Sequence, residues 1–312
     1  MNIEFADLER NSYDIAQLKK ERKENLNKFI EYCENKYKSQ IKDVAETLIK
    51  GKYKMLLVTG PSSSGKTTTA NLISKELVKR GVGSIVVSID DFFIDLKDTP
   101  LLSDGSYDLD NVTTVDIEEF NKFYMDLLKY NKATMPKYNF SKHKRDRWEK
   151  VCINPGDMLI VEGLHALNPA LIKSNEFKSQ TYKLYACTNS FFTEKDKLVL
   201  NEQDLRLFRR IHRDTLTRNY SPLKTINQWK HVCEGEKLYV APFKKEADKI
   251  IDTTHAYELF VYAKCLNKLL MPYSADKSIQ NIQYILSKFE PLDESVIPQS
   301  SLLNEFVPRE ND

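Results

Sequence analysis

The eight residues GPSSSGKT, Gly60 to Thr67, constrain this chain more than any other stretch. They fit G-x-x-x-x-G-K-T, a loop whose glycines let the backbone curl until its N–H groups point inward at phosphate oxygens. Such a loop works between a strand and a helix, because the helix N-terminus adds partial positive charge where the anion sits. Both flanks agree. KMLLVT before the loop is an apolar run, and KTTTANLISKELVKR after it reads as a helix closed by Gly81. The spacing predicts that Gly60, Pro61, Ser62, Ser63, Ser64, Gly65, Lys66, Thr67 and Thr68 wrap a nucleoside triphosphate. Lys66 supplies a point charge near the β and γ phosphates, and the Thr67 hydroxyl ligates Mg²⁺, so ATP and Mg²⁺ are the expected cofactors.

A strand apolar at every position must be covered on both faces. SIVVSID, DMLIVEG and YKLYAC repeat the strand pattern further along, alternating with helical segments. This order predicts an α/β protein, the three-layer α/β/α P-loop NTPase arrangement with a mainly parallel sheet. Helical additions are expected at both ends. Apolar residues from Leu26 to Leu48 recur at steps of three and four within a lysine- and glutamate-rich stretch, marking one or two amphipathic helices between Ile15 and Ile49. Such a helix packs on the domain next to it in the chain or pairs with a second copy. A helical segment spans 116–130, the polar stretch MPKYNFSKHKRDRWEK looks extended on the surface, and long helical regions are expected over 201–219 and 246–270. The tail FEPLDESVIPQSSLLNEF, with prolines at 291 and 298, reads as irregular packing. The expected division is a helical extension over 1–50, a P-loop domain over 51–270 and a packed tail over 271–312.

Charge narrows the partners. Lys and Arg number 47 against 45 Asp and Glu, a net charge of +2, so bulk charge does not suit a polyanion binder and KHKRDR is not expected to bind nucleic acid. The five cysteines form no C-x-x-C pair, which suits a reducing compartment. No apolar run approaches the roughly 18 residues of a membrane span, and MNIEFADLER does not read as a leader. A cytoplasmic location is expected, with no membrane partner and with a homo-oligomer open.

Two strand ends and one helix carry the remaining chemistry. VVSIDDFF delivers Asp90 and Asp91 to one point, either as a solvated turn or as a site. Glu162 ends MLIVEG, where the magnesium-side acid of a P-loop fold stands. Arg206, Arg209, Arg210 and Arg213 fall at i, i+3, i+4 and i+7, one helix face. Alone that is a solvated basic face; beside a phosphate loop it reads as a lid that offsets charge on a transferring phosphoryl group.

Taken together, GPSSSGKTTTA, SIDDFF, YDLDN, PKYNF, VEGLHALNP, RRIHRDTLTRNYS and GEKLYVAPFKKEAD resemble, in content and order, the uridine kinases of the phosphoribulokinase group of P-loop kinases. The resemblance runs from about Leu56 to Leu266 and is strongest to bacterial uridine kinase-like nucleoside kinases. It implies that Asp90 activates a nucleoside 5′-hydroxyl and that Asp110 holds the ribose hydroxyls. Phe93, Tyr138, Phe140, His143 and Arg145 would line or flank the base and sugar pocket, with Phe92 and Phe93 as its wall beside the base. Glu162 would stand at Mg²⁺, Arg210 and Arg213 would be lid arginines, Arg218 a substrate- and phosphate-side arginine, and Gln228 a polar nucleoside contact. Asp91 would anchor the turn or reach Mg²⁺ through water. Two positions depart: Tyr220 stands where animal uridine–cytidine kinases carry another arginine, and Tyr-Asn-Phe replaces Tyr-Asp-Phe.

The implied reaction is transfer of the γ-phosphoryl group of ATP to the 5′-hydroxyl of a pyrimidine nucleoside, uridine first, a pyrimidine salvage step. Thymidine, a small sugar or sugar phosphate, and a non-kinase ATP switch or RNA-binding role are the alternatives. Flat rings at Tyr138 and Phe140 favour a base over a sugar phosphate.

Overall fold

The computed structural model describes residues 10–308 except 103, 104, 106, 141, 174 and 176. The N-terminal nine residues, read above as no leader, Ser141 of the polar stretch and the last four residues of the tail lie outside the described residues. Two units are each compact in themselves: the described residues of 40–186 and 231–251, and those of 1–39, 187–230 and 252–312.

The first unit carries a five-stranded sheet in the order Lys249–Asp252, Thr181–Cys187, Met55–Thr59, Met158–Glu162, Ser84–Ser88. Met55–Thr59 pairs in parallel with both neighbours, as does Met158–Glu162. These two central strands are buried at every residue, the fate of apolar strands covered on both faces. Met55, Leu57, Leu159 and Val161 share one core with Phe120, Phe123, Tyr124 and Leu127. Those four ride the helix Ile117–Tyr130 at i, i+3, i+4 and i+7; Asp116 caps its start and Asn131, in the left-handed region, ends it. Leu56, Val58 and Ile160 alternate to the other face and are equally buried. The helix Lys66–Lys79 buries Thr69, Ala70, Ile73 and Leu77.

The polar stretch expected to be merely extended is a regular antiparallel hairpin, Lys132–Asn139 against Lys144–Cys152, with a bulge between Lys137 and Tyr138. The expected helix over 246–270 is corrected. KIID is a β-branched run that takes the edge of the sheet, and the Asp252 carboxylate then accepts the Thr254 N–H and turns the chain. Only two short helices succeed it, Glu258–Tyr262 and Cys265–Leu270. The helix Pro222–Tyr239 is not legible in the sequence, because its apolar stripe is weak and its interior holds Gly235.

In the second unit Asn11–Asp14, Ser190–Glu194 and Lys197–Leu200 form a three-stranded sheet. The N-terminal helical stretch is two helices, Ile15–Glu24 and Leu26–Lys50, broken at Asn25, whose backbone is extended and whose side chain accepts from Lys28 N. The tail opens with a helix, Lys277–Leu286, before short 3₁₀ turns.

Candidate functional site

The phosphate loop has the shape that its glycines require. A Cβ at Gly60 would lie 1.9 Å from the Ala186 carbonyl oxygen, so the loop leaves the strand where no side chain fits. Gly65 takes φ +84 and Ser63 φ +58, curling the chain into the helix. Gly65 stands at the N-cap of Lys66–Lys79 and offers no side chain to cap it, and the Ser63 and Ser64 hydroxyls are buried without a partner among the described residues. Uncapped helical N–H groups beside orphaned donors are what a polyphosphate satisfies, so the loop fits a triphosphate. Lys66 Nζ folds back to donate to the Pro61 carbonyl at 3.1 Å.

Sheet register lines up the acids. Glu162 pairs with Val58 of the phosphate-loop strand on one side and with Ser88 on the other. Asp90 comes two residues after Ser88, in the 3₁₀ turn Ile89–Phe92, and is half-buried. Thus the loop, Glu162 and Asp90 leave the same C-terminal sheet edge, with the Glu162 strand between the other two. Glu162 is only 5 % exposed, while Gly163 leaves room for Ile89, 2.8 Å from where a Cβ would stand. Among the described residues no cluster of three His, Cys, Asp or Glu could hold a metal alone. Thr67, which is exposed, and Glu162 offer two oxygen donors, which suits Mg²⁺, an ion that completes its shell with water and phosphate.

The two adjacent aspartates of SIDDFF differ in their surroundings. Asp91 accepts from Lys137 Nζ at 2.6 Å and so ties the turn to the hairpin. Phe92 is fully buried against Phe120 and Phe123, both 5.3 Å away, and is core; the reading of Phe92 as pocket wall is corrected. Phe93 instead meets Tyr138 at 5.7 Å and Phe140 at 6.5 Å, and these two rings lie 5.1 Å apart. Phe140 is 59 % exposed, leaving a flat apolar surface open. His143 is exposed in the hairpin turn at φ +54. Arg145 donates to the Phe93 carbonyl and the Asp116 carboxylate, both at 2.9 Å, and locks the hairpin to the Asp90 turn.

Asp110 lies against the helix Pro222–Tyr239 at Gly235, where a Cβ would come within 2.6 Å of its Oδ2. Next to it, Tyr239 OH donates to Asp108 Oδ2 at 2.9 Å, and Asn111 Nδ2 donates to the same oxygen at 3.1 Å. Burial, then the Asp108 bond, push the Tyr239 phenol above its ordinary value. Sequence reasoning missed Asp108, Tyr239, Lys137 and His165; only the i, i+2 spacing of Asp108 and Asp110 in YDLDN hinted at the first.

The arginines belong to the other unit. Asn201 and Asp204 cap the helix Glu202–Thr217 reciprocally. The four-arginine stripe is corrected: Arg206 and Arg209 are 1 % and 0 % exposed and serve the interior. Arg209 grips Glu258 through two bonds of 2.8 and 2.9 Å, and Arg206 stacks over Trp229 at 5.4 Å. Arg210, Arg213 and Arg218 converge on the buried Asp214 carboxylate at 3.3, 2.9 and 3.5 Å. Gln228 is exposed on the helix Pro222–Tyr239.

A parallel sheet that opens through this glycine loop into a helix, with acids at the neighbouring strand ends, is a P-loop fold. Residues 55–175 match the family described as "Phosphoribulokinase / Uridine kinase family". "Uridine kinase-like protein 4" of Arabidopsis thaliana is 27 % identical over 75 % of this chain and 46 % of its own length. The "Uridine kinase" of Ligilactobacillus salivarius is 29 % identical over 62 % of this chain and 82 % of its own. The chain spans about half the length of the plant relatives it matches. A solved structure titled "Structure of a Possible Uridine Kinase from Bacillus stearothermophilus" covers 69 % of this chain and 98 % of its own, with TM-score 0.44 and 18 % identity.

Proposed function

We propose that this protein is an ATP-dependent nucleoside kinase that phosphorylates the 5′-hydroxyl of a pyrimidine nucleoside, uridine first. The observation that carries the reading is the register row: Glu162 pairs with the phosphate-loop strand and with the Asp90 strand at one level. Donor phosphates at the loop would therefore stand at the sheet edge that also carries the Asp90 carboxylate. In this reading the loop amides and Lys66 hold the triphosphate, and Thr67 and Glu162 would hold Mg²⁺, which when bound neutralises phosphate charge. Asp90 orients the 5′-hydroxyl and accepts its proton as the oxygen attacks the γ-phosphorus. Asp91 cannot share that task while it pairs with Lys137. Phe93, Tyr138 and Phe140 offer flat faces to a base, and Asp110 accepts hydrogen bonds from the ribose diol. His143 and Arg145 flank that surface; for Arg210, Arg213, Arg218 and Gln228 the lid and substrate roles rest on the sequence resemblance alone. The names of the relatives support uridine as the first substrate to try.

The test is a nucleoside panel with ATP and Mg²⁺, read as monophosphate formed. Uridine or cytidine should give the highest kcat/KM. Absence of product from every nucleoside would sink the reading, and turnover of ribulose 5-phosphate alone would move it to a sugar-phosphate kinase. Among the described residues no helix is long and apolar enough to cross a membrane; a cytoplasmic location and a salvage role are part of the proposal.

A further inference from the structure

His165 has no part in the mechanism above, yet it is among the most unusual side chains of the first unit. It is 2 % exposed; the ring meets the Asp110 backbone in a poorly aligned hydrogen bond, and neither nitrogen makes a well-formed one among the described residues. Its place is set by the strand end that carries Glu162. Gly163 turns the chain, the Thr59 hydroxyl donates to the Leu164 carbonyl at 2.7 Å, and the His165 carbonyl accepts the Asn168 N–H at 2.9 Å. The ring packs edge-on to Tyr239 at 6.3 Å, the same tyrosine that donates to Asp108. The charges of Asp108 and Lys66 and the backbone of Asp110 all act on it. His165 thus stands where the phosphate loop meets the Asp108–Asn111 loop.

Burial lowers the His165 pKa to about 4, so the ring is neutral near pH 7. A neutral imidazole presents one donor and one acceptor. Leaving a ring nitrogen poorly met in the interior is costly. Phosphate oxygens only accept, and would leave the bare ring nitrogen unmet. A hydroxyl can both donate and accept, so it can meet a ring nitrogen in either role.

We propose that His165 is a specificity-determining residue of the acceptor site, hydrogen-bonding a ribose hydroxyl of the nucleoside. The inference rests on the nucleoside-kinase reading. A site built to hydrogen-bond a hydroxyl rejects the analogue that lacks it, because its own polar groups stay unpaired.

The experiment compares uridine, 2′-deoxyuridine and 3′-deoxyuridine as substrates for the full chain and for its His165→Phe and His165→Gln variants. His165→Phe should lower kcat/KM for uridine by about tenfold, the worth of one good hydrogen bond. It should leave one of the two deoxynucleosides within about twofold, so that discrimination at that hydroxyl collapses. KM for ATP should not move. His165→Gln, with an amide donor and acceptor, should restore part of the discrimination. The thermal midpoint of His165→Phe should equal or exceed that of the parent, since a poorly met polar ring is replaced by an apolar one; a histidine with a purely structural role would lose stability instead. Equal losses on all three nucleosides, or a rise in KM for ATP alone, would overturn the assignment with the kinase reading intact. A parent protein inactive on every nucleoside would remove both.

Discussion

At the scale of single residues, the two adjacent aspartates show how geometry ranks what composition cannot. SIDDFF offers Asp90 and Asp91 as equals, and the resemblance alone favours the first. The ion pair of Asp91 with Lys137 ties that carboxylate to the hairpin, and Asp90 stands in the 3₁₀ turn at the sheet edge, which supports Asp90 as the proposed base. Asp90→Asn keeps shape and removes basicity, so kcat should fall about 10²- to 10⁴-fold, the usual worth of a positioned general base. ATP affinity, measured by titration, should change little. An unchanged kcat would take Asp90 out of the chemistry. The phosphate loop is fully legible in the sequence because its function depends on backbone shape that only glycines at fixed spacing allow. Lys137 and His165 are not legible, because a lysine or a histidine acquires meaning only from neighbours distant in the chain.

At the scale of elements, the strands around the loop are legible because central parallel strands are apolar throughout, a pattern few other elements share. The helix Glu202–Thr217 is legible too, but the meaning of its arginines is not. Periodicity places Arg206, Arg209, Arg210 and Arg213 on one face without saying what covers that face. Glu258, some fifty residues on, covers Arg209 in a buried bidentate pair. Glu258→Gln leaves a guanidinium buried without its counter-charge and should cost about 3–5 kcal/mol in urea unfolding. Replacing both partners, Arg209→Met with Glu258→Leu, should recover much of that loss. The helix Pro222–Tyr239 escapes the sequence because Gly235 weakens its pattern, yet that glycine leaves room for Asp110, the proposed ribose acid. Gly235→Ala raises helix propensity by up to about 1 kcal/mol, while its Cβ drives against the Asp110 side chain. KM for the nucleoside should therefore rise severalfold with KM for ATP and the thermal midpoint unharmed. A drop in midpoint without a KM change would show that the close approach is only packing.

At the scale of the whole molecule, three histidines make stability depend on pH in a window where carboxylates contribute little. Burial is the first cause at His165, His212 and His255, and lowers each pKa below its ordinary 6.5. Neighbouring charges work against that shift without reversing it: Asp108 at His165, Glu294 at His212, and Glu34 and Glu258 at His255. The neutral rings at 212 and 255 are held by carbonyls, Phe306 O at 2.8 Å and Thr253 O at 3.0 Å. The folded protein thus refuses protons that the unfolded chain takes up below pH 6.5. Since stability rises with pH wherever the unfolded state binds more protons, it must fall as pH drops from about 6.5 toward 4. His165, with its pKa near 4, contributes about 1 kcal/mol of that loss between pH 7.5 and 5.5. Urea unfolding at the two pH values should show a lower midpoint at 5.5. In His165→Phe the pH-dependent difference should shrink by about that 1 kcal/mol, whatever the variant does to activity. A midpoint flat across this range would mean that the buried rings titrate in the folded state, and that their burial is looser than the packing around them implies.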